Sequence, residues 1–156
     1  MKDNYEFRCK YFDQLNISEF YEIVKSRYEV FACEQEITCE NDFDDKDREC
    51  MHLFAIDNKE DKERVVGYCR LLPPGLSYSE ASIGRVLVLK EYRGKGIAKE
   101  MMLKAIEEIQ KNFKVNSITL SAQSYIKNLY ICVGFIEASE EYEEAGIPHV
   151  KMKFRI

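Results

Sequence analysis

Arg93, Gly94, Lys95, Gly96, Ile97 and Ala98 follow an apolar run and open an amphipathic one, in the spacing R-x-x-G-x-[G/A]. The chemistry this arrangement suits is phosphate binding. The first N–H groups of a helix lack intrahelical partners, and the helix dipole places partial positive charge at that end. Phosphate oxygens satisfy both. Gly94 and Gly96 remove side chains that would hold a pyrophosphate away from the backbone, and they permit the positive φ such a turn needs. Arg93 and Lys95 add charge at the rim. A Walker loop is excluded because Ile97, not lysine, follows Gly96, and a dinucleotide fingerprint because Lys99 replaces its third glycine. Two glycines alone would equally suit a plain strand-to-helix turn. The flanks favour the cradle, since Val86, Leu87, Val88 and Leu89 form a β-favouring run and Ile97, Met101, Ala105 and Ile109 recur at helical spacing.

Other residues carry charge or reactivity in places that need a reason. The stretch Glu40-Asn41-Asp42-Phe43-Asp44-Asp45-Lys46-Asp47 packs five carboxylates around one lysine. It is either an attractor of cationic amines or a solvated loop. It is not a calcium loop, because Lys46 occupies a ligand position and the required glycine is missing. Arg70 and Arg85 each interrupt an apolar strand, and an arginine there needs a carboxylate. An internal partner such as Glu34 makes them structural, the favoured reading; without one they form a clamp for a substrate carboxylate or phosphate. The six cysteines (9, 33, 39, 50, 69 and 132) include no C-x-x-C pair and no cluster with histidine, so no metal site is expected. Cys69 and Cys132 read as small packed hydrophobes, Cys39 and Cys50 as accessible thiols at the ends of a polar loop.

Positioning these groups requires a strand near Glu6 to Phe12, a helix from Ser18 to Cys33 capped by Asn16 or Ser18, and strands at Met51 to Ile56 and Val65 to Leu72. Pro73, Pro74 and Gly75 then lead to the strand before the cradle. Behind the cradle helix come a strand at Ser117 to Ser121, a short helix at Tyr125 to Cys132, and strands at Phe135 to Ala138 and Pro148 to Phe154. At 156 residues and 46% hydrophobic, one domain over residues 1–156 is expected. A net charge of -5 argues against a nucleic-acid groove. The charged start MKDNYEFRCK does not resemble a signal peptide, and no apolar run approaches the roughly 20 residues that span a bilayer. A soluble, cytoplasmic protein with free thiols is expected, monomeric or homodimeric.

The loop and its flanks resemble motif A of the GNAT superfamily of N-acetyltransferases, which binds the pyrophosphate of acetyl-CoA. Ala122, Gln123, Leu129, Tyr130, Gly134 and Phe135 resemble its motif B, a short helix ending in Y-x-x-x-G-F. Within the superfamily the chain is similar to the ElaA-like branch, through VFACEQ (Val30 to Gln35), the acidic loop, His52, IGRV (Ile83 to Val86), SAQ (Ser121 to Gln123) and YEEAGIPHVKM (Tyr142 to Met152).

The resemblance implies an α+β GNAT fold, a mixed, mostly antiparallel twisted sheet with helices on both faces and a splay between its two central strands. It implies acetyl transfer from acetyl-CoA to an amine acceptor whose identity it leaves open, or, as an alternative, a catalytically silent acyl-CoA-binding module. Val86, Leu87 and Val88 would line the splay against pantetheine, with the Val88 N–H polarising the acetyl carbonyl. Tyr130 would protonate the departing thiolate, a task that suits a phenol of pKa about 10. Gln123, and after it Asn128, would contact the cofactor. Glu34, His52, Glu143, Glu144 and His149 are candidate bases, with Glu34 and His149 placed at the catalytic centre, and relay through water is the alternative.

Overall fold

The computed structural model describes residues 5–156. The first helix, α1 (Ile17–Arg27), begins where Asn16 accepts the Glu19 N–H at 2.7 Å while the Glu19 carboxylate accepts the Asn16 N–H at 3.0 Å. This reciprocal cap satisfies two orphan donors. The expected long helix is divided, because after Arg27 the chain widens into a π-helical turn, Tyr28–Glu34. Such turns recur at functional sites.

Strands β1 (Glu6–Tyr11), β2 (Met51–Asp57), β3 (Arg64–Leu72), β4 (Ala81–Val88), β5 (Ser117–Gln123), β6 (Ile136–Glu137), β7 (Tyr142–Glu144) and β8 (Ile147–Arg155) join one sheet. Its order is β1-β2-β3-β4-β5-β8-β6, with β7 also paired to β8. All pairings are antiparallel except β4 with β5, which is parallel and spans only Ala81–Ile118 and Ser82–Thr119. Beyond that rung the two central strands part, as expected of the splay.

Alternation along the strands builds two cores. Met51, Leu53, Cys69 and Leu71 pack against Met101, Met102, Ala105 and Ile109 of α2 (Ile97–Phe113). Phe54, Val66 and Tyr68 pack on the opposite face against Ile23 and Val30. Helices therefore cover both faces. The Y-x-x-x-G-F segment closes the short helix α3 (Lys127–Cys132): the Phe135 N–H donates to the Tyr130 carbonyl at 3.0 Å and the two rings meet edge-to-face.

Cys69 is buried and Cys39 exposed as expected, but Cys132 is exposed and Cys50 buried, the reverse of expectation. Cys132 lies on the outer side of α3, and the chain before β2 folds over Cys50, whose thiol sits 3.8 Å from the Asp47 carbonyl. The hairpin β7–β8 is a further departure. Its turn uses Ala145 (φ 53°) and Gly146 (φ 76°), and alanine gives no sequence signal for a left-handed turn position. Among the described residues no helix is long and apolar enough to cross a membrane.

Gly134 has φ 110°, and a Cβ there would stand 2.8 Å from the Phe154 ring. Gly134→Ala is expected to cost about 2 kcal/mol, measured as a lower urea midpoint. Gly146→Ala, with open space around its Cβ, should cost less; equal losses would mean that the Phe154 contact does not set the cost.

Candidate active site

The edge of β4 is shaped by an irregularity against β3. Tyr68 opposes Leu87 and Arg70 opposes Gly84, so Arg85 and Val86 together face Cys69. Arg85 holds φ 54°, a left-handed conformation that is costly away from glycine. Bulges of this kind gather beside functional sites. Further along, the Leu89 N–H donates to the Val66 carbonyl at 2.9 Å. Alternation of the antiparallel ladder gives Leu87 to β3 as well and turns the Val88 edge toward the opening. The Val88 carbonyl accordingly accepts from Arg93 Nε at 2.9 Å.

A cavity of about 590 Å³ occupies the opening. The π-turn and the acidic loop bound it on one side, and β4 from Ser82 to Val88 forms its wall. Gln123, Tyr130 and His149 reach it from β5, α3 and β8. Of the cradle residues Arg93 alone lines this cavity; beyond it the chain turns through Gly94 at φ 78° and Gly96 at φ 82°. The Glu100 N–H is the first in α2 to bond back, to the Gly96 carbonyl at 3.2 Å. The amides of Ile97, Ala98 and Lys99 are therefore the orphan donors of this helix. A Cβ on either glycine would meet nothing within 4 Å, so the space above the cradle is open to an incoming group. Ile97 itself is buried and approaches β3 at Gly67, where a Cβ would come 3.2 Å from it. Lys95 stands at the rim with its ammonium 5.5 Å from the Tyr92 ring centre.

Arg93 is engaged differently from expectation. Its guanidinium clasps the Glu34 carboxylate at 2.6 and 2.8 Å, and that bond holds the Glu34 carboxyl below its ordinary pKa. A carboxylate so held is a weak proton acceptor, which argues against Glu34 as the base. Nor is Glu34 the partner of Arg70 or Arg85. Gln123 and Gln35 exchange amide hydrogen bonds at 3.0 and 3.4 Å across the cavity. Asn128 is exposed on α3, away from the lining.

Tyr130 is 3% exposed, and its hydroxyl has no hydrogen-bond partner among the described residues. Burial raises its pKa, so it keeps its proton and can only give it up to a strong acceptor. His149 presents the complementary group. Its Nδ1 lies 2.7 Å from the Ile147 carbonyl, which can only accept, so Nδ1 carries the proton and Nε2 keeps a lone pair. That Nε2 lies 3.4 Å from Glu144 Oε2, and the ring stacks on Tyr142. His52 is a structural residue by contrast. Its Nε2–H donates to the Asp47 carbonyl at 2.8 Å, its Nδ1 accepts from the Tyr68 hydroxyl at 2.7 Å, and it lies outside the lining.

The acidic loop folds inward. Asp42 receives Arg27 Nε and Arg85 Nε, each at 2.8 Å. Asp44 receives Arg70 at 2.6 Å, which holds its carboxyl well below the usual range. Asp47 is shared by Arg27 and Arg70 at 2.8 and 3.2 Å. The loop is neither a solvated face nor a free attractor of amines: three of its carboxylates neutralise three arginines. Arg70 and Arg85 are thus structurally paired, as favoured, but by loop aspartates that sequence spacing does not mark. Asp47, Cys50 and His52 also lie within 4.8 Å of one another. They make a poor metal site, because arginines hold Asp47, burial pushes the Cys50 thiol up to about 12, and Nε2 of His52 carries a proton.

The model of the acetyltransferase (GNAT) domain family matches residues 22–156. The chain belongs to the GNAT acetyltransferase family. Protein ElaA of Escherichia coli is 31% identical over 148 residues, covering 94% of each chain. Its crystal structure matches this GNAT chain with a TM-score of 0.84 over 97% of this chain and 100% of that one, at 28% identity. A UPF0039 protein of Schizosaccharomyces pombe is 36% identical over 154 residues, 98% of this chain and 99% of its own. An acyl-CoA N-acyltransferase from Pseudomonas aeruginosa matches with a TM-score of 0.85 and 28% identity, over 97% and 99% of the two chains. The GNAT fold and the ElaA-like likeness read from the sequence are both borne out.

Burial lowers the pKa of His52 in this GNAT domain. An unfolded chain protonates histidine near pH 6.5. The folded protein resists doing so, hence stability is full above about pH 6.5 and falls as the pH drops, by up to about 1.4 kcal/mol per unit. Urea midpoints measured from about pH 7 to 5 should show this slope, and His52→Gln should flatten it; an unchanged slope in the variant would assign it elsewhere.

Proposed function

We propose that this protein transfers the acetyl group of acetyl-CoA to a primary amine by direct attack in a ternary complex. The observation that carries this reading is one cavity running from Arg93 at the cradle's rim, past the Val88 edge, to Tyr130 and His149. Gly94, Lys95 and Gly96, with the orphan amides of Ile97 and Ala98, suit the pyrophosphate. Pantetheine lies along Val86 to Val88, where it answers backbone groups that the parting of β5 leaves open. Gln123, whose amide is bonded to Gln35, would touch it from the opposite strand.

The chemistry then divides among three groups. The Val88 N–H polarises the acetyl carbonyl and stabilises charge on its oxygen. His149 Nε2 accepts a proton from the incoming ammonium, directly or through water. Tyr130, kept protonated by burial, gives its proton to the thiolate as the carbon–sulfur bond breaks. Its unpartnered hydroxyl supports that role, since no internal acceptor competes for the proton. The free thiols among the described residues fit a reducing, cytoplasmic setting.

Acetyl-CoA at a hundredfold excess over its Kd should stabilise the wild type by about 2.7 kcal/mol. Gly96→Glu places bulk and negative charge in the cradle and should abolish that gain; a mutant that gains as much as wild type would show the loop assignment to be wrong. Tyr130→Phe should keep the binding gain and lose about 100-fold in kcat for amine-dependent CoA release. If neither wild type nor Tyr130→Phe releases CoA with any amine, the silent acyl-CoA-binding reading takes precedence.

A further inference from the structure

Glu144 Oε2 lies 3.4 Å from Nε2 of His149 and 3.4 Å from the Ser121 hydroxyl. The first of these contacts lacks a proton. With its Nδ1–H given to the Ile147 carbonyl, His149 offers a lone pair at Nε2, and a carboxylate offers lone pairs alone. Neither can donate to the other, so the pair calls for a donor from outside. Ser121 has one hydroxyl proton to give, and that hydroxyl also meets the Tyr142 hydroxyl. The fold brings these groups together at the tip of a hairpin. Tyr142 opposes His149 and Glu144 opposes Ile147 on the β7–β8 ladder, and the turn through Ala145 and Gly146 follows at once. Tyr142 and Glu144, two residues apart, therefore share the face on which His149 lies. The Tyr142 ring stacks on the imidazole at 6.3 Å between centres, while Glu144 meets its Nε2 edge.

This carboxylate is open to a ligand. Glu144, Ser121 and His149 line the cavity beside Tyr78 and Gln123. The Glu144 side chain is 47% exposed, and among the described residues no lysine or arginine is paired with it. Asp42 and Asp44 on the facing loop differ, since arginines neutralise both. Burial, and after it Tyr142 and Glu144, raise the pKa of Tyr78, which stays a neutral wall. The Lys151 ammonium rests over the Tyr78 ring at 5.5 Å and is not part of the lining.

A primary ammonium carries three N–H donors and no acceptor. Seated beside the pair, at about 2.9 Å from each acceptor, it gives one hydrogen to the carboxylate and points another at Nε2. We propose that Glu144 binds the acceptor as its cation, so that this protein selects amines that are protonated in solution, such as alkylamines and lysine side chains. The carboxylate holds the positive charge and presents His149 with the proton it removes. This rests on the acyl-transfer reading above and adds the group that recognises the acceptor.

The test is CoA release from acetyl-CoA with butylamine, an ammonium at neutral pH, and with O-propylhydroxylamine, which has the same length and is uncharged there. Glu144→Gln keeps the size of the side chain and removes its charge. The ratio of kcat/KM for butylamine to that for O-propylhydroxylamine should fall at least about tenfold in this variant, mainly through KM for butylamine. Glu144→Asp, which keeps the charge on a shorter stem, should recover part of the ratio. Butylguanidinium, a cation that histidine cannot deprotonate, should compete with butylamine in the wild type and do so about tenfold more weakly in Glu144→Gln. Glu144 is half-exposed at a turn, so neither variant removes core packing, and stabilisation by acetyl-CoA reports that each is folded. An unchanged ratio in Glu144→Gln would overturn the proposal, and so would equal losses on both amines, which would mean that Glu144 only orients His149. An equal fall in Glu40→Gln, which removes another exposed carboxylate of the lining, would also overturn it by making the effect one of general charge. So would no turnover of either amine by a protein that acetyl-CoA still stabilises. Failure of acetyl-CoA to stabilise the wild type would instead remove the acyl-transfer reading itself.

Discussion

A strand that leaves its neighbour exposes main-chain N–H and C=O groups, and those groups need partners. Past Ser82 and Thr119, β4 is bonded to β3 alone. That constraint organises the rest of the molecule. The Val88 carbonyl is answered by Arg93, which reaches back from the cradle. The bulge at Arg85 and Val86 bends the strand. A ligand with alternating amides, laid along the same edge, would be a replacement strand in all but name. The cradle then follows within a few residues, so the edge and the cradle are fixed relative to each other by one short connection.

The bent edge is held from outside by charge. Asp42 joins Arg27, at the end of α1, to Arg85, in the bulge, while Asp44 and Asp47 engage Arg70 on β3. Arg27 is 0% exposed. Buried pairs of this kind add little net stability over apolar packing, but breaking one leaves an uncompensated charge. Their effect here is geometric. They fasten the loop, the helix end and the strained residue into one arrangement, and the loop becomes a wall of the cavity.

Local signals were legible in the sequence and long-range ones were not. The cradle, the amphipathic α2 and the Tyr130–Phe135 segment were readable because each depends on neighbours within a few residues. The partner of Arg85 lies 43 residues away in an irregular loop, and no periodicity connects them. Glu34 was assigned to the wrong arginine for the same reason: its true partner, Arg93, is 59 residues distant. The π-turn inserts irregularity into a segment with ordinary helix-forming residues. The different standing of His52 and His149 lay in their carbonyl and hydroxyl partners, which only the fold brings near.

A continuous sheet keeps the side chains of its two faces apart. Tyr130 belongs to the core beneath α2, whereas Gln123 and His149 project from the face covered by α1. Both sets line one cavity only because β4 and β5 have separated. The proposed acid and base are thereby drawn from different surroundings. Burial against apolar side chains raises the pKa of Tyr130 and keeps its proton, while the Ile147 carbonyl takes the Nδ1–H of His149 and leaves its Nε2 facing Glu144 at 3.4 Å. The gap opens both side chains to one cavity. The opposite proton duties proposed for them would follow from a hole in the sheet.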